Sequence, residues 1–356
     1  MLMYNICMKQ IGFFTEENRL LRLSSMGDPL EKVSAAVDFE TFRPLLNKAF
    51  QKEALGPGGR PPWDYILMFK IMLLQQWYGI ADDMTEYIIN DRLSFQRFLG
   101  LSLGDKVPDA KTIWLFRENL TKSNVYDKLF RKFTWRLEKQ GVITRKGSII
   151  DASFVDAPKQ RNTREENRQI KDGNGNSLWQ DNLSKCRQKD KDARWTKKND
   201  QAHYGYKDHI KVDKDSKIII SYSVTDACVH DSNEALGLID EKDQTVNLDS
   251  AYSGKELQQA MFNKNPYLDL QVNEKGYRNQ PLTEEQKASN RQKSRIRARV
   301  EHVFGHMTNS FKGLSVRSIG ITRAKCQIAL KNLAYNLQRY ECLIRLQKVP
   351  IRCYEG

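Results

Sequence analysis

The 356-residue chain has no CxxC pair, and its six cysteines (Cys7, Cys186, Cys228, Cys326, Cys342 and Cys353) are scattered. That excludes a zinc ribbon and argues against a disulfide scaffold, leaving reduced thiols of an intracellular protein. It has five histidines and no HExxH. His302 and His306 stand at the i, i+4 spacing of a zinc helix, but without a third ligand nearby they read as packing or DNA-contact residues. No long apolar run exists. The most apolar stretch, "YILMFKIMLLQQWYGI", is broken by Lys70 and Gln75, which fits a core helix and not a membrane span. The start, "MLMYNICMKQIGFF", is too short and too broken for a secretory signal. No internal repeat is visible. What remains is a soluble, cytoplasmic protein with no membrane partner.

Acid is also scarce. Against 44 Asp and Glu stand 58 Lys and Arg, a formal net charge of +14. A surplus of that size favours a polyanionic partner, with nucleic acid ahead of a membrane surface. The surplus is concentrated: residues 274–325 hold 12 Lys/Arg and 4 Asp/Glu, and residues 158–200 hold 12 against 7. Apolar content of 40% and charged content of 29% are otherwise those of a folded chain with a real core.

The periodicity divides the chain. Residues 28 to about 140 read as helices, with Ile66, Phe69, Leu73 and Trp77 at helical spacing and Asp109 as a cap. This predicts an all-α N-terminal domain over 1–140 for DNA binding or dimerisation. From about 143 the period shortens. "SIIDASFVDA", "YGYKDHIKVD" and "KIIISYSVTDA" are strand-like, the last two forming a hairpin that turns at Asp213 to Ser216. Helical and strand segments then alternate through "SNEALGLI", "TVNLDSAY", "GKELQQAMF" and "YLDLQVNE". This predicts an α/β domain with a mixed sheet over 141–347, followed by a tail at 348–356. Its polar stretch 158–200 reads as a basic insertion, mobile or ordered only on a ligand.

Three acids stand apart. Asp151 reads as the end of the first strand, with Asp156 as a second choice because its strand has by then reached the "DAP" turn. Asp249 ends a later strand before a turn, and strand ends in open α/β sheets are where ligand groups gather. Glu301 lies one residue off the stripe Val300, Phe304, Met307, Phe311 and Leu314, with Arg297 one turn earlier on the same flank. An exposed i, i+4 ion pair would explain that spacing equally simply. Its neighbours Arg291, Lys293, Arg295 and Arg299 make it nearly the only acid on a basic surface, a costly position unless it holds a cation. Three carboxylates suit Mg²⁺, with Mn²⁺ as a substitute. Two such ions roughly 3.5–4 Å apart would clamp an in-line phosphodiester displacement. Around this centre Lys159 and Arg161 beyond Pro158, and Lys207 and His209 on the hairpin, read as contacts to the DNA backbone. Trp179 and Trp195 read as packing residues, with base stacking as the alternative. His230 and Asp231 read as a helix start.

The blocks "DASFVDAP", "HYGYKDHIKVD", "VTDACVHDSNE", "VNLDSAYSGKE", "RARVEHVFGHM" and "RAKCQIALKNLAYNLQRY" resemble, in order, those of bacterial DDE transposases of the insertion-sequence-five family. "GDPLEKV", "GRPPWDYILMFKIMLLQQWYGIADD" and "DRLSFQRFLGLSLGDKVPDAKTIWLFRE" resemble that family's N-terminal domain, so the likeness runs from about 27 to 340. It implies a ribonuclease H-like core and a catalytic, metal-binding triad of Asp151, Asp249 and Glu301. It also implies cleavage of element ends, joining of the 3′-hydroxyl to target DNA, and a dimer or larger assembly on inverted repeats near a bacterial nucleoid. The family's Tyr-x2-Arg-x3-Glu-x6-Lys signature is met at Arg297 and Glu301 but departs at Ser294 and Thr308. Lys312, one turn further on, is the expected replacement for the missing lysine. A nuclease that does not join strands and an inactive DNA-binding derivative are the other readings.

Overall fold

The computed structural model describes residues 15–50, 61–198, 200–277 and 281–349. Eight helices come first: α1 (Thr15–Ser25), α2 (Pro29–Ala36), α3 (Arg43–Phe50), α4 (Tyr65–Tyr78), α5 (Asp82–Asp91), α6 (Leu93–Leu99), α7 (Ala110–Ser123) and α8 (Val125–Lys139). Strand β1 (Ser148–Asp156) opens the second half, followed by α9 (Arg164–Lys171), α10 (Leu183–Gln188), β2 (Arg194–Lys198), β3 (Gln201–Asp213) and β4 (Ile219–Asp226). Then α11 (Asp231–Leu238), β5 (Thr245–Leu248), α12 (Lys255–Lys264), β6 (Asp269–Val272), α13 (Glu284–Ser310) and α14 (Ile321–Arg345) complete the chain. The N-terminal stretch to residue 14 and the tail beyond 349 lie outside the described residues.

Local chemistry sets the helix ends. Asp64 accepts from the backbone N–H groups of Ile66 and Leu67 at the start of α4, and Gly79 closes it in the left-handed conformation. Asp109 caps α7 as its sequence predicts. Helix α4 is apolar nearly all round and is buried accordingly, with Trp77 donating to the Ala334 carbonyl of α14 at 2.9 Å. Helix α14 packs on α2, α4, α7 and α8, and the N-terminal helices share one continuous apolar core with it, α13 and one face of the sheet. Among the described residues no helix is long and apolar enough to cross a membrane.

The sheet is mixed. Antiparallel β1 and β3 pair over nine residues, β4 and β2 share the far edge of β3, and β5 and β6 continue in parallel on the other side of β1. Helices α11 and α12 cover the face that carries Ile150, Val246 and Leu248. Successive residues alternate faces, so Ile149 and Asp151 lie on the opposite face, toward α13. Gly205 sits opposite Asp156 at φ +150°, where a Cβ would lie 2.2 Å from the Val155 carbonyl oxygen. Only glycine lets the strands approach there.

The basic insertion, expected from its composition to be mobile or ordered only on a ligand, carries regular structure. It folds into α9, α10 and β2, with β2 extending the sheet. Its anchor is buried Asp190, which accepts from the Tyr206 hydroxyl at 2.7 Å and from the Gly320 and Ala193 N–H groups at 3.1 and 3.0 Å. Asp192 accepts from Ile321 N–H at 2.9 Å. The insertion is thereby tied to the start of α14. Few apolar residues were needed because a carboxylate network does the fastening.

Strand β3 is buried along Tyr204–Asp213, polar residues included. Asp208 Oδ1 accepts from Asn332 at 3.2 Å, while Oδ2 has no hydrogen-bond partner among the described residues. Burial pushes this carboxyl up to about 7, against the opposing pull of Asn332 and Lys331. The unfolded chain ionises Asp208 near pH 4, so the folded state holds the extra proton between there and 7. Stability should therefore fall as pH rises from about 4 to 7, and Asp208→Asn should flatten that slope in urea unfolding series.

Candidate active site

Asp151 is not the end of its strand. It is the fourth of nine residues in β1, opposite Ile210 of β3. The end-like property belongs to its neighbour: β5 stops at Leu248, so the β5 side of β1 has no strand partner between Ile149 and the bridge of Asp156 to Ser315. The parallel register pairs Ser148 with Val246 and Ile149 with Asn247, an offset of 98. The same offset carries Asp151 to Asp249. The two acids stand level on one face, Asp151 within β1 and Asp249 one residue past the end of β5, at the point where the strands part.

Helix α13 crosses that face, packed against β1 and β5. Its Arg297 reaches both acids, with Nη2 at 3.7 Å from Asp151 Oδ2 and 3.4 Å from Asp249 Oδ2. One guanidinium thus straddles two carboxylates, and its Nε is buried without a hydrogen-bond partner among the described residues. Asp151 is half-buried and its Oδ1 accepts from the Ala152 N–H at 2.9 Å. Burial raises its carboxyl above the usual range, opposed by the Ala152 bond and by Arg297, and reinforced by the negative charge of Asp249. Asp249 is more open and caps the short turn Ser250–Tyr252 through Ser250 N–H.

Glu301 lies one turn beyond Arg297 on α13 and is exposed. Among the described residues no three His, Cys, Asp or Glu side chains cluster closely enough to hold a metal. The structure therefore brings together Asp151 and Asp249 and leaves Glu301 at the rim. Asp156 is exposed, and its backbone bonds the segment after α13, with its N–H on the Leu314 carbonyl at 3.0 Å.

The remaining predicted residues divide sharply. Arg291 and Arg295 are exposed on α13, and Lys159 and Arg161 are exposed beyond β1. Lys293 donates to the Val272 carbonyl at 2.9 Å, and Arg299 to the Lys214 carbonyl at 2.8 Å and to Asp215 at 3.1 Å. Lys207 and His209 overturn the expectation of phosphate contact, because β3 is central and turns both inward. Lys207 donates to Asp231 at 2.9 Å and to the Val229 carbonyl at 2.6 Å, and His209 bonds Thr225 at 2.9 Å. Lys312 is not on the helix either. Helix α13 ends at Ser310, and Lys312 follows in a left-handed turn (φ 56°), its side chain against Gly79. Trp179 packs within the insertion and donates to Glu166 at 2.7 Å. Trp195 is exposed, tilted against Tyr204 with Lys159 over its ring.

Tyr252 had no place in the sequence argument. It is buried behind Asp249, and its hydroxyl has no hydrogen-bond partner among the described residues. Burial, together with the charges of Asp231, Asp151 and Asp249, holds its hydroxyl firmly protonated. Its position three residues after Asp249 in "DSAYSG" was the available signal.

Among known proteins, a family model described as a Transposase DDE domain matches residues 143–337, and one described as Transposase domain (DUF772) matches residues 18–119. The chain is also similar to the piggyBac transposase in the cryo-EM structure of its synaptic complex with hairpin DNA, with 11% identity, a TM-score of 0.44, and coverage of 92% of this chain and 77% of that one. The DDE-domain match spans more than half of the chain and holds Asp151, Asp249 and Glu301, and on that match the chain belongs to the transposases with a DDE domain.

Proposed function

We propose that the protein is a DNA transposase of the insertion-sequence-five type, which cuts the ends of its own element and joins the freed 3′-hydroxyl to target DNA. The observation that carries this reading is the level pair Asp151 and Asp249 facing one guanidinium. The mixed six-stranded sheet, in which β1, β2, β3 and β4 pair antiparallel and β5 and β6 continue parallel to β1, supports a ribonuclease H-like core. Double-stranded DNA is the partner that the net charge of +14 suits, and holding two ends at once calls for a dimer or larger assembly.

The two aspartates offer oxygen donors of the kind a hard divalent cation takes. The two carboxylates already draw a positive group between them, and Arg297 is that group here. Asp151 and Asp249 would hold Mg²⁺ or Mn²⁺, with Glu301 turned in from the next helical turn. Such ions supply an activated water and neutralise charge on the phosphodiester when bound. Asp151 is set by its strand and by the Ala152 bond, and Asp249 by its turn, so neither carboxylate needs ordering on binding. Arg297, once released, is a planar donor placed to grip a phosphate oxygen beside them. Exposed Arg291, Arg295, Lys159 and Arg161 extend the attraction to the backbone on either side.

Exposed Glu301, together with Ser294 and Thr308 at the two departures from the family signature, favours the second reading, a DNA-binding derivative that no longer cuts. Pre-cut element ends offered with target DNA and Mg²⁺ separate the readings. Joined product is expected. Cleavage of intact ends without joining would make the protein a nuclease, and binding with neither reaction would make it the derivative.

A further inference from the structure

A second concave site lies away from the paired aspartates, and it contains no acid. A cavity of about 240 Å³ opens between the C-terminal half of α13, the β3–β4 turn and α14, lined by Lys217, His302, His306, Tyr335, Gln338, Arg339 and Cys342. The helical repeat separates it from the catalytic flank. At 100° per residue, Arg297 and Glu301 share one side of α13, while Arg295, Arg299, His302 and His306 share the other. The same helix therefore presents Glu301 and Arg297 to one groove and a row of cationic and imidazole groups to a different one.

The groups around this cavity are fixed, and the nearby carboxylates are occupied elsewhere. Arg339 donates its Nε to the Ser216 carbonyl at 2.7 Å, and Tyr335 donates to the Lys217 carbonyl at 2.9 Å. His306 bonds Gln338 at 3.1 Å. Asp215 pairs with Arg299, Glu341 pairs with Arg345, and buried Asp213 accepts from the N–H groups of Ser216 and Thr144. No salt bridge is formed by Lys217 or Arg339 among the described residues. Lys217 is held in a left-handed backbone conformation (φ 60°), and burial followed by the charges of Arg339, Arg299 and Lys348 keeps its ammonium below the usual lysine range. Gathering like charges into a hollow destabilises the fold unless an anion enters.

We propose that this cavity is a phosphate seat, formed by Lys217, Arg339, His302 and His306, which takes a backbone phosphate of DNA bound outside the catalytic groove. A phosphate is the anion that suits convergent donors from a lysine, an arginine and imidazoles. The inference rests on the reading that the protein binds DNA. It adds a specific anchor on the far flank of α13, from which bound duplex is held in register with the aspartates.

Duplex binding by wild type, Lys217→Asn and His302→Gln, measured by fluorescence anisotropy from 50 to 200 mM salt, tests it. Asparagine tolerates the left-handed backbone at 217, and His302 is exposed, so both variants keep the fold. Each phosphate contact contributes about 0.9 to the slope of log affinity against log salt. Lys217→Asn is expected to lower the slope by about one and to weaken binding a few-fold at 200 mM salt, equally for every duplex sequence. Its melting temperature should hold or rise, and stabilisation of the wild type by inorganic phosphate should shrink. A wild type that binds duplex with a slope unchanged in both variants would overturn the proposal. Loss of the phosphate effect with an unchanged DNA slope would overturn its assignment to DNA. A wild type that binds no duplex would sink the functional reading, and the proposal with it.

Discussion

Asp249→Ala is expected to abolish strand cleavage while leaving duplex binding intact. Asp249 follows β5 at the level of Asp151 and shares the Arg297 guanidinium with it. Removing one of two carboxylates leaves a cation site with a single fixed acid and an arginine that neutralises it. Residues that merely support metal ligands cost roughly 10–100-fold in metal affinity or activity when replaced, so loss of a ligand itself should exceed about a hundredfold. Binding should be unchanged or slightly tighter, because a negative charge leaves a surface that attracts phosphates. The alanine also removes the cap on Ser250, a loss of about 0.5–2 kcal/mol. Asp249→Asn keeps a capping oxygen and separates the two effects: cleavage should fail in both variants, and the melting temperature should fall only in the alanine. Persistent cleavage by a well-folded Asp249→Asn would remove this aspartate from the reaction.

The position of the aspartate pair was legible because its signals are local. Apolar runs bounded by turn residues located β1, β3, β4 and β5, and the 98-residue interval between Asp151 and Asp249 is also the offset of the parallel register. What escaped depends on partners distant in sequence. Lys207 and His209 of β3 read as contacts to the DNA backbone, yet Lys207 meets Asp231 and His209 meets Thr225 inside, as Asp208 between them meets Asn332. Periodicity cannot reveal that a central strand is covered on both faces when its polar groups are satisfied from other elements. Lys312 was placed on α13 because the apolar stripe continues through Phe311 and Leu314, whereas Lys312 and Gly313 both leave the helix with positive φ. The insertion looked mobile because it lacks apolar residues, and the network around Asp190 has no compositional signature. Helix α1 falls within the all-α domain expected over 1–140 but lies ahead of residue 28, where individual helices began to be read.

Asp243→Ala should be among the most destabilising single changes in the catalytic half. Lys211 of β3 is 1% exposed and Asp243 is fully buried, with Nζ 2.9 Å from Oδ2 and 3.2 Å from Oδ1. Asp243 also accepts the Asp240 N–H at 2.8 Å and lies 3.8 Å from Arg145 Nη1. Deleting the acid strands the Lys211 ammonium in a low-dielectric site, while Arg145 keeps Glu138 and Asp240; a stranded buried charge costs about 3–5 kcal/mol, a large share of a typical 5–15 kcal/mol total. Burial already holds Lys211 below the usual lysine range, with Asp243 opposing that shift. Without Asp243 the amine should lose its proton more readily, so the penalty should be greatest at neutral pH and shrink as pH rises toward the ordinary lysine range. Lys211→Met combined with Asp243→Leu removes both charges and should recover most of the loss, because desolvating the pair consumed much of what its attraction returned. Urea unfolding of the two singles and the double across pH 7 to 10 checks this. Equal destabilisation by Asp243→Ala at every pH would place the cost in the lost hydrogen bond from Asp240 N–H, and not in the stranded charge.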